Sequence, residues 1–184
     1  MRDMSAPPRP VLVLPGYGDS GPGHWQSRWQ AADPTHRRVV QRDWLNPTLD
    51  EWRETLEHAV AGCDRPPVLV AHSLACALVA HWARGTRRRV AGALLVAPAD
   101  ADMVALALDA VASFAPVPLE RLPFPSIVVA SSDDPYVSLE RAEAFARGWG
   151  SHLVTIGAAG HINTDTGYGE WPEGRRLLGE LDRP

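Results

Sequence analysis

Three short stretches of this 184-residue chain carry side chains that could act together on a carbonyl carbon. The first is Ala71-His72-Ser73-Leu74-Ala75, inside the run VLVAHSLACALVAHW. The second is Ser131-Ser132-Asp133-Asp134-Pro135, and the third is Gly157-Ala158-Ala159-Gly160-His161. A serine hydroxyl is a weak nucleophile unless a base takes its proton, and the base needs an acid to hold it in the productive tautomer. Ser73, Asp134 and His161 supply those functions in the order serine, acid, histidine.

The elements around them would bring them to one place. Residues 68–71 read as a strand that turns at His72-Ser73 directly into a helix. Such a turn lifts its side chain out at the C-terminal edge of a parallel sheet, where open α/β sheets bind ligands. The turn wants small residues two before and two after the serine, and Ala71 and Ala75 stand there in place of the usual glycines of G-x-S-x-G. Asp134 and His161 each follow another strand, at the same edge. Singly, each residue has a plainer role: a helix cap for Ser73, a turn before proline for Asp134, a loop position for His161. Order and edge together favour the chemical reading. Asp133, Asp100 and Asp102 are rival acids. Asp134 is preferred because Pro135 biases it to extended backbone, and its strand would adjoin the one that precedes His161.

Strands are expected at residues 11–14, 38–41, 68–71, 93–97, 126–130 and 152–156. Several are apolar throughout, the mark of strands covered on both faces. Helical patterns lie between them. Thr48 and Glu51 are spaced as a capping box. Ser138 is placed to cap a helix that Gly150 ends, and Pro172 to open a last one. Residues 74–83 form a helix apolar nearly all round, with Gly85 after it. Residues 98–125 are the least regular, with a helix expected over 103–114. Strand–helix alternation predicts a doubly wound parallel six-stranded sheet in the order 2-1-3-4-5-6, with helices on both faces. The length suits a single domain over 1–184, with a flexible leader over 1–9.

The loop Gly16-Tyr17-Gly18-Asp19-Ser20-Gly21 spells G-x-G-x-x-G, and Asp43 follows the next strand where a ribose acid would stand. That is a dinucleotide-binding reading, but Pro22-Gly23 oppose a helix opening within the motif. In the hydrolytic reading the loop supplies an oxyanion amide from Tyr17, opposite the amide of Leu74 at the helix start. Gly16, His24 and Trp25 are then expected to contact the substrate, His72 is expected either to line the pocket with them or to be buried against the elbow, and His58 and His81 fall on helices. No His, Cys, Asp or Glu set has metal-ligand spacing, so neither metal nor cofactor is expected. The net charge of −4 argues against nucleic acid as a partner. No apolar run reaches the length of a membrane span, and the N-terminal residues lack an apolar core of signal-peptide type. Two cysteines, Cys63 and Cys76, read as reduced, buried thiols of a cytoplasmic protein.

The stretches VLVLPGYGDSGPGHWQSRW, VAHSLACALVAHW, LLVAPAD, SSDDPYVSLERAEAFARGWGS and GAAGHINTDTGYGEWPEG span nearly the whole chain. In them the sequence resembles the small serine hydrolases of the retinoblastoma-binding protein nine / YdeN type, within the α/β-hydrolase superfamily. The resemblance implies a minimal α/β-hydrolase fold without a large lid and a triad at Ser73, Asp134 and His161. It also implies an esterase-like or amidase-like activity on a small-molecule acyl substrate. A non-catalytic interaction module on the same fold is the alternative from a different class.

Overall fold

The computed structural model describes residues 8–181. The leader expected over residues 1–9 thus lies outside the described residues except for Pro8 and Arg9, and Arg9 Nη1 donates to the Pro66 carbonyl (3.1 Å). Six strands are formed: β1 (Val11–Leu14), β2 (His36–Arg38), β3 (Val68–His72), β4 (Gly92–Val96), β5 (Ser126–Ala130) and β6 (His152–Thr155). They build one sheet in the order β2-β1-β3-β4-β5-β6, parallel at every pairing. The helices are α1 (Trp25–Ala32), α2 (Leu49–Ala61), α3 (Leu74–Ala83), α4 (Ala101–Val104), α5 (Leu139–Trp149) and α6 (Pro172–Leu181).

The apolar strand runs have a physical cause. Alternate side chains point to opposite faces, and both faces are covered. Leu69, Ala71, Ala93, Leu95, Val128 and Ala130 pack into a core with Trp52 and Leu56 of α2, most of α3, and Phe145 and Trp149 of α5. Val70, Leu94, Val96, Ile127 and Val129 face the other way, against Trp25 and Trp29 of α1 and Leu177 of α6. The helix α3 is buried at every position but His81 and Ala83, which is why its pattern shows no polar face.

The edge strand departs from expectation. It runs over His36–Arg38, not 38–41. Pairing to β1 decides its place: Val11 lies opposite His36 and Val13 opposite Arg38, while Val39 makes the last bond, from its amide to the Val13 carbonyl (2.8 Å), and packs into the core. An edge strand has one paired side only, so its composition says little about its register. The other strands match within one residue at each end. The helix expected over 103–114 is split into α4 and a 3-10 turn, Asp109–Phe114. This β4–β5 connection is as long as the β2–β3 connection and longer than the others, and no large lid is formed from it.

The caps divide in the same way. Ser138 Oγ accepts from the Arg141 amide (3.1 Å), and Gly150 ends α5 at φ 69°, a left-handed conformation suited to glycine. The capping box at Thr48 does not form. Its hydroxyl donates to the Glu51 carboxylate (2.9 Å), and Ser113 Oγ, remote in sequence, accepts from the Leu49 amide (3.1 Å). Substitution Ser138→Ala should therefore cost about 1 kcal/mol of stability, and Thr48→Ala under about 0.5 kcal/mol, since only the first removes an acceptor from a helix amide. Urea denaturation of both variants measures the difference.

Candidate active site

Because every strand runs the same way, all C-terminal ends lie at one edge, and three loops meet there. Ser73 stands between β3 and α3 at φ 58°, ψ −125°, a conformation that costs a non-glycine residue roughly 1–3 kcal/mol. Its amide donates to the Val96 carbonyl of β4 (3.0 Å), and its own carbonyl accepts from the Cys76 amide (3.0 Å). Ala71 and Ala75 are wholly buried, so the space taken by glycines in the commoner motif holds a methyl group here.

The three chemical residues meet. His161 Nε2 lies 2.8 Å from Ser73 Oγ, and His161 Nδ1 lies 2.9 Å and 3.0 Å from the two carboxylate oxygens of Asp134. The carboxylate also accepts from the Tyr136 amide (2.9 Å). Asp134 and His161 are buried, whereas Ser73 is partly exposed. The rival acids point elsewhere. Asp100 pairs with Arg141 (3.2 Å); Asp102 pairs with the same guanidinium and accepts from the Val117 amide (2.9 Å).

Gly16 comes as close to the elbow as a backbone can. A Cβ placed on it would lie 2.8 Å from Ser73 Cβ, 2.9 Å from the His72 carbonyl and 3.2 Å from the Leu74 nitrogen. Only glycine fits this approach, which sets the Gly16-Tyr17 backbone beside the start of α3. The loop is braced from behind: buried Gln26 donates to the carbonyls of Leu14 (3.0 Å) and Val70 (3.1 Å) and accepts from Ser20 Oγ (2.7 Å). Arg38 reaches Asp19, the Ser20 carbonyl, Ser27 and Gln30. The helix α1 opens at Trp25, beyond the glycine motif. Asp43 is occupied by the amides of Leu45 and Asn46 (2.8 Å each).

Of the residues expected to touch substrate, His24 and Trp25 are turned inward as supports, and His72 takes the buried place against the elbow. Trp25 has no exposed surface; its indole N–H donates to the Ile162 carbonyl (2.9 Å). His72 is buried, and its Nε2–H donates to the His161 carbonyl (2.9 Å). His24 is buried too; its Nδ1 caps α1 by accepting from the Gln26 amide (3.2 Å). Trp25 and His72 thus satisfy backbone carbonyls of the loop carrying His161, whose burial without partners would be costly, while His24 serves the start of α1.

Further supports went unseen in the sequence. Ser131 Oγ accepts from the Ala159 amide (2.9 Å), and Asp133 Oδ1 accepts from the Gly160 amide (2.7 Å). Four consecutive residues, 159 to 162, are thus each held by a side chain: Ser131, Asp133, His72 and Trp25. The doubled acid after β5 was the available signal, since adjacent carboxylates in an extended segment face different partners. Tyr136 was also missed; its half-exposed ring packs 4.6 Å from the imidazole of His161.

Burial governs the ionisation of the neighbours. His72 is pushed well below its ordinary value by burial first, then by the charges of His161 and His24. Burial, with His161 and Arg38, lowers His24 to about 4. The Ser131 hydroxyl and Gly160 amide hold the Asp133 carboxyl below its usual range. Burial raises the Cys76 thiol, and both cysteines are free, with Cys63 only half-buried rather than buried as expected. Among the described residues no group of three or more His, Cys, Asp or Glu is arranged to hold a metal ion. No described helix is long and apolar enough to cross a membrane.

A six-stranded parallel sheet with a strained serine after its third strand, and an acid and a histidine after its fifth and sixth, defines an α/β hydrolase. The chain belongs to the serine hydrolase family, whose model, described as "Serine hydrolase", matches residues 11–180. Among solved structures it is similar to a YdeN-like hydrolase of Pectobacterium atrosepticum, with 32% identity, TM-score 0.84, and 94% of this chain and 90% of that one covered. The ydeN gene product of Bacillus subtilis follows at 21% identity, TM-score 0.78 and coverage of 95% and 98%. A thermophilic esterase of Thermogutta terrifontis shares the fold at 18% identity, TM-score 0.68 and coverage of 96% and 91%. No curated protein matches the sequence.

The lowered His24 makes stability depend on pH with a definite sign. Its folded value lies near 4, below the ordinary 6.5, so the unfolded chain takes up the proton first. The contribution of His24 to stability is complete above pH 6.5 and is lost as the pH drops toward 4. His24→Asn keeps an oxygen able to cap α1 and removes the titration. Its unfolding free energy should fall less steeply over that window in denaturation series at fixed ionic strength.

Proposed function

We propose that this protein hydrolyses small or medium acyl esters, with thioesters or amides as related substrates, through an acyl-enzyme formed on Ser73. The supporting observation is the unbroken run of hydrogen bonds from Ser73 Oγ through His161 to Asp134, at 2.8 Å and 2.9 Å. His161 Nε2 takes the serine proton as Oγ attacks the carbonyl carbon. Asp134 keeps the Nδ1–H tautomer and steadies the imidazolium that results. The oxyanion is received by the amides of Leu74 and Tyr17. Leu74 opens α3, so its N–H has no partner within the helix and adds the positive end of the helix dipole. His161 then returns the proton to the leaving group, and water repeats the sequence to release the acid. In this reading the chain acts as one catalytic unit. Free thiols suit a reducing, cytoplasmic setting.

Substitution Ser73→Ala should lower kcat on short p-nitrophenyl esters by on the order of 10³-fold or more while leaving thermal stability close to wild type. It should also abolish labelling by a fluorophosphonate probe. Asp134→Asn should cost up to about 10⁴-fold, because an amide favours the wrong imidazole tautomer. Wild-type turnover in purified Ser73→Ala, or labelling at another residue, contradicts the proposal.

The β4–β5 connection forms no large lid, and so offers little apolar wall for a long chain. Rates measured across acyl length should peak at short chains, without activation at a lipid interface. A maximum at long chains with activation at lipid interfaces contradicts the preference for small or medium acyl groups.

A further inference from the structure

The residue before the nucleophile is tied directly to the base. His72 precedes Ser73 in β3, and its Nε2 lies 2.9 Å from the main-chain oxygen of His161, 89 residues away. A carbonyl oxygen only accepts, so Nε2 carries the proton and donates. The imidazole is wedged in place: the His161 ring lies 4.8 Å away on one side. The His24 ring lies 4.8 Å away, edge-on, and the Trp25 ring 6.0 Å away, also edge-on. The ring of His72 is therefore held in one orientation, with the His161 carbonyl as its hydrogen-bond partner among the described residues.

We infer that His72 is a positioning residue for the hydrolytic reaction, setting the separation of nucleophile and base by holding the backbone of His161 against the elbow. The inference rests on the assignment of Ser73 and His161 proposed above. The other supports of this loop come from different elements: Ser131 and Asp133 from the segment after β5, and Trp25 from α1. Each fixes the loop relative to its own element. His72 alone among them shares a peptide bond with the nucleophile, so its hydrogen bond fixes the loop relative to Ser73 itself. Two contacts locate the ring of His161, one at Nδ1 and one at Nε2. The bond from His72 locates the chain from which that ring hangs. A base displaced by about 1 Å can lose about 10²-fold in rate. Nothing in this role calls for contact with substrate, and the burial of His72 agrees with that.

The test compares His72→Leu, which keeps apolar bulk and loses the donor, with His72→Gln, whose amide N–H₂ can reach the same carbonyl. Both are measured beside wild type and Ser73→Ala, by kcat and KM on a short p-nitrophenyl ester and by the rate of fluorophosphonate labelling. In His72→Leu, kcat and the labelling rate should fall together, by about 10- to 100-fold, with KM within about twofold. In His72→Gln both rates should return to within about threefold of wild type. A fall confined to KM in His72→Leu would mean that His72 binds substrate, and would overturn the inference. So would a His72→Leu enzyme as fast as wild type, or a His72→Gln enzyme no faster than His72→Leu. If His72→Gln does not fold, the position requires more than a donor and the inference is also wrong. The two levels separate cleanly. An active Ser73→Ala removes the assignment of the nucleophile, whereas an inactive Ser73→Ala beside a fast His72→Leu removes only the role of His72.

Discussion

The backbone of Ser73 is the constraint around which the rest is arranged. A residue with a side chain does not rest at φ 58°, ψ −125° unless its surroundings hold it there, because the conformation crowds the Cβ against the backbone. Here the holding groups are rigid. The strand before Ser73 is buried along its length, and the helix after it is buried over most of its surface. Its amide is fastened to the neighbouring strand at Val96. Relaxing the turn would mean breaking the bond to Val96 or moving α3 out of the core, and each opposes the relief of strain. The hydroxyl is thereby raised over the sheet edge without any choice of its own.

In the proposed reaction a nucleophile fixed so firmly at Ser73 transfers the demand for precision to its base, His161, which arrives on a loop. Loops over a sheet edge are ordinarily mobile, and this one is steadied by side chains bonded to successive backbone groups. Two adjacent acids divide the work. Asp134 addresses the imidazole at Nδ1, while Asp133 takes the amide of Gly160. The histidines and the tryptophan grouped nearby are part of the same frame, and their burial is also what keeps His24 and His72 from taking up protons beside His161.

The edge itself stays open. Tyr17, Val40, Leu45, Met103, Leu106 and Tyr136 are large apolar residues left exposed, and each lies in a segment that follows the C-terminal end of a strand. Of these, Tyr136 packs directly against His161. The reaction proposed above would then run near solvent, with water shielding left to Tyr136 over the imidazole and to the substrate.

The sequence alone was enough for the order of the sheet, the elbow, and the three residues that meet across it. Those features are local or follow from chain order: apolar runs mark covered strands, small residues flank a tight turn, and parallel strands deliver their following loops to one edge. Where local signals were weak, the reading slipped, as at the edge strand, whose place is set by pairing to β1 and not by its own composition. Thr48 misled for a related reason: its pattern was right for a cap, but Ser113 from a distant turn took the amide. Only the tertiary structure decided that His24, Trp25 and His72 are inward supports. Trp25 meets the carbonyl of Ile162, 137 residues away, and His72 that of His161, 89 residues away. Which side chain reaches which carbonyl over such separations depends on how the helices pack across the sheet, and residue type and spacing do not encode that distance.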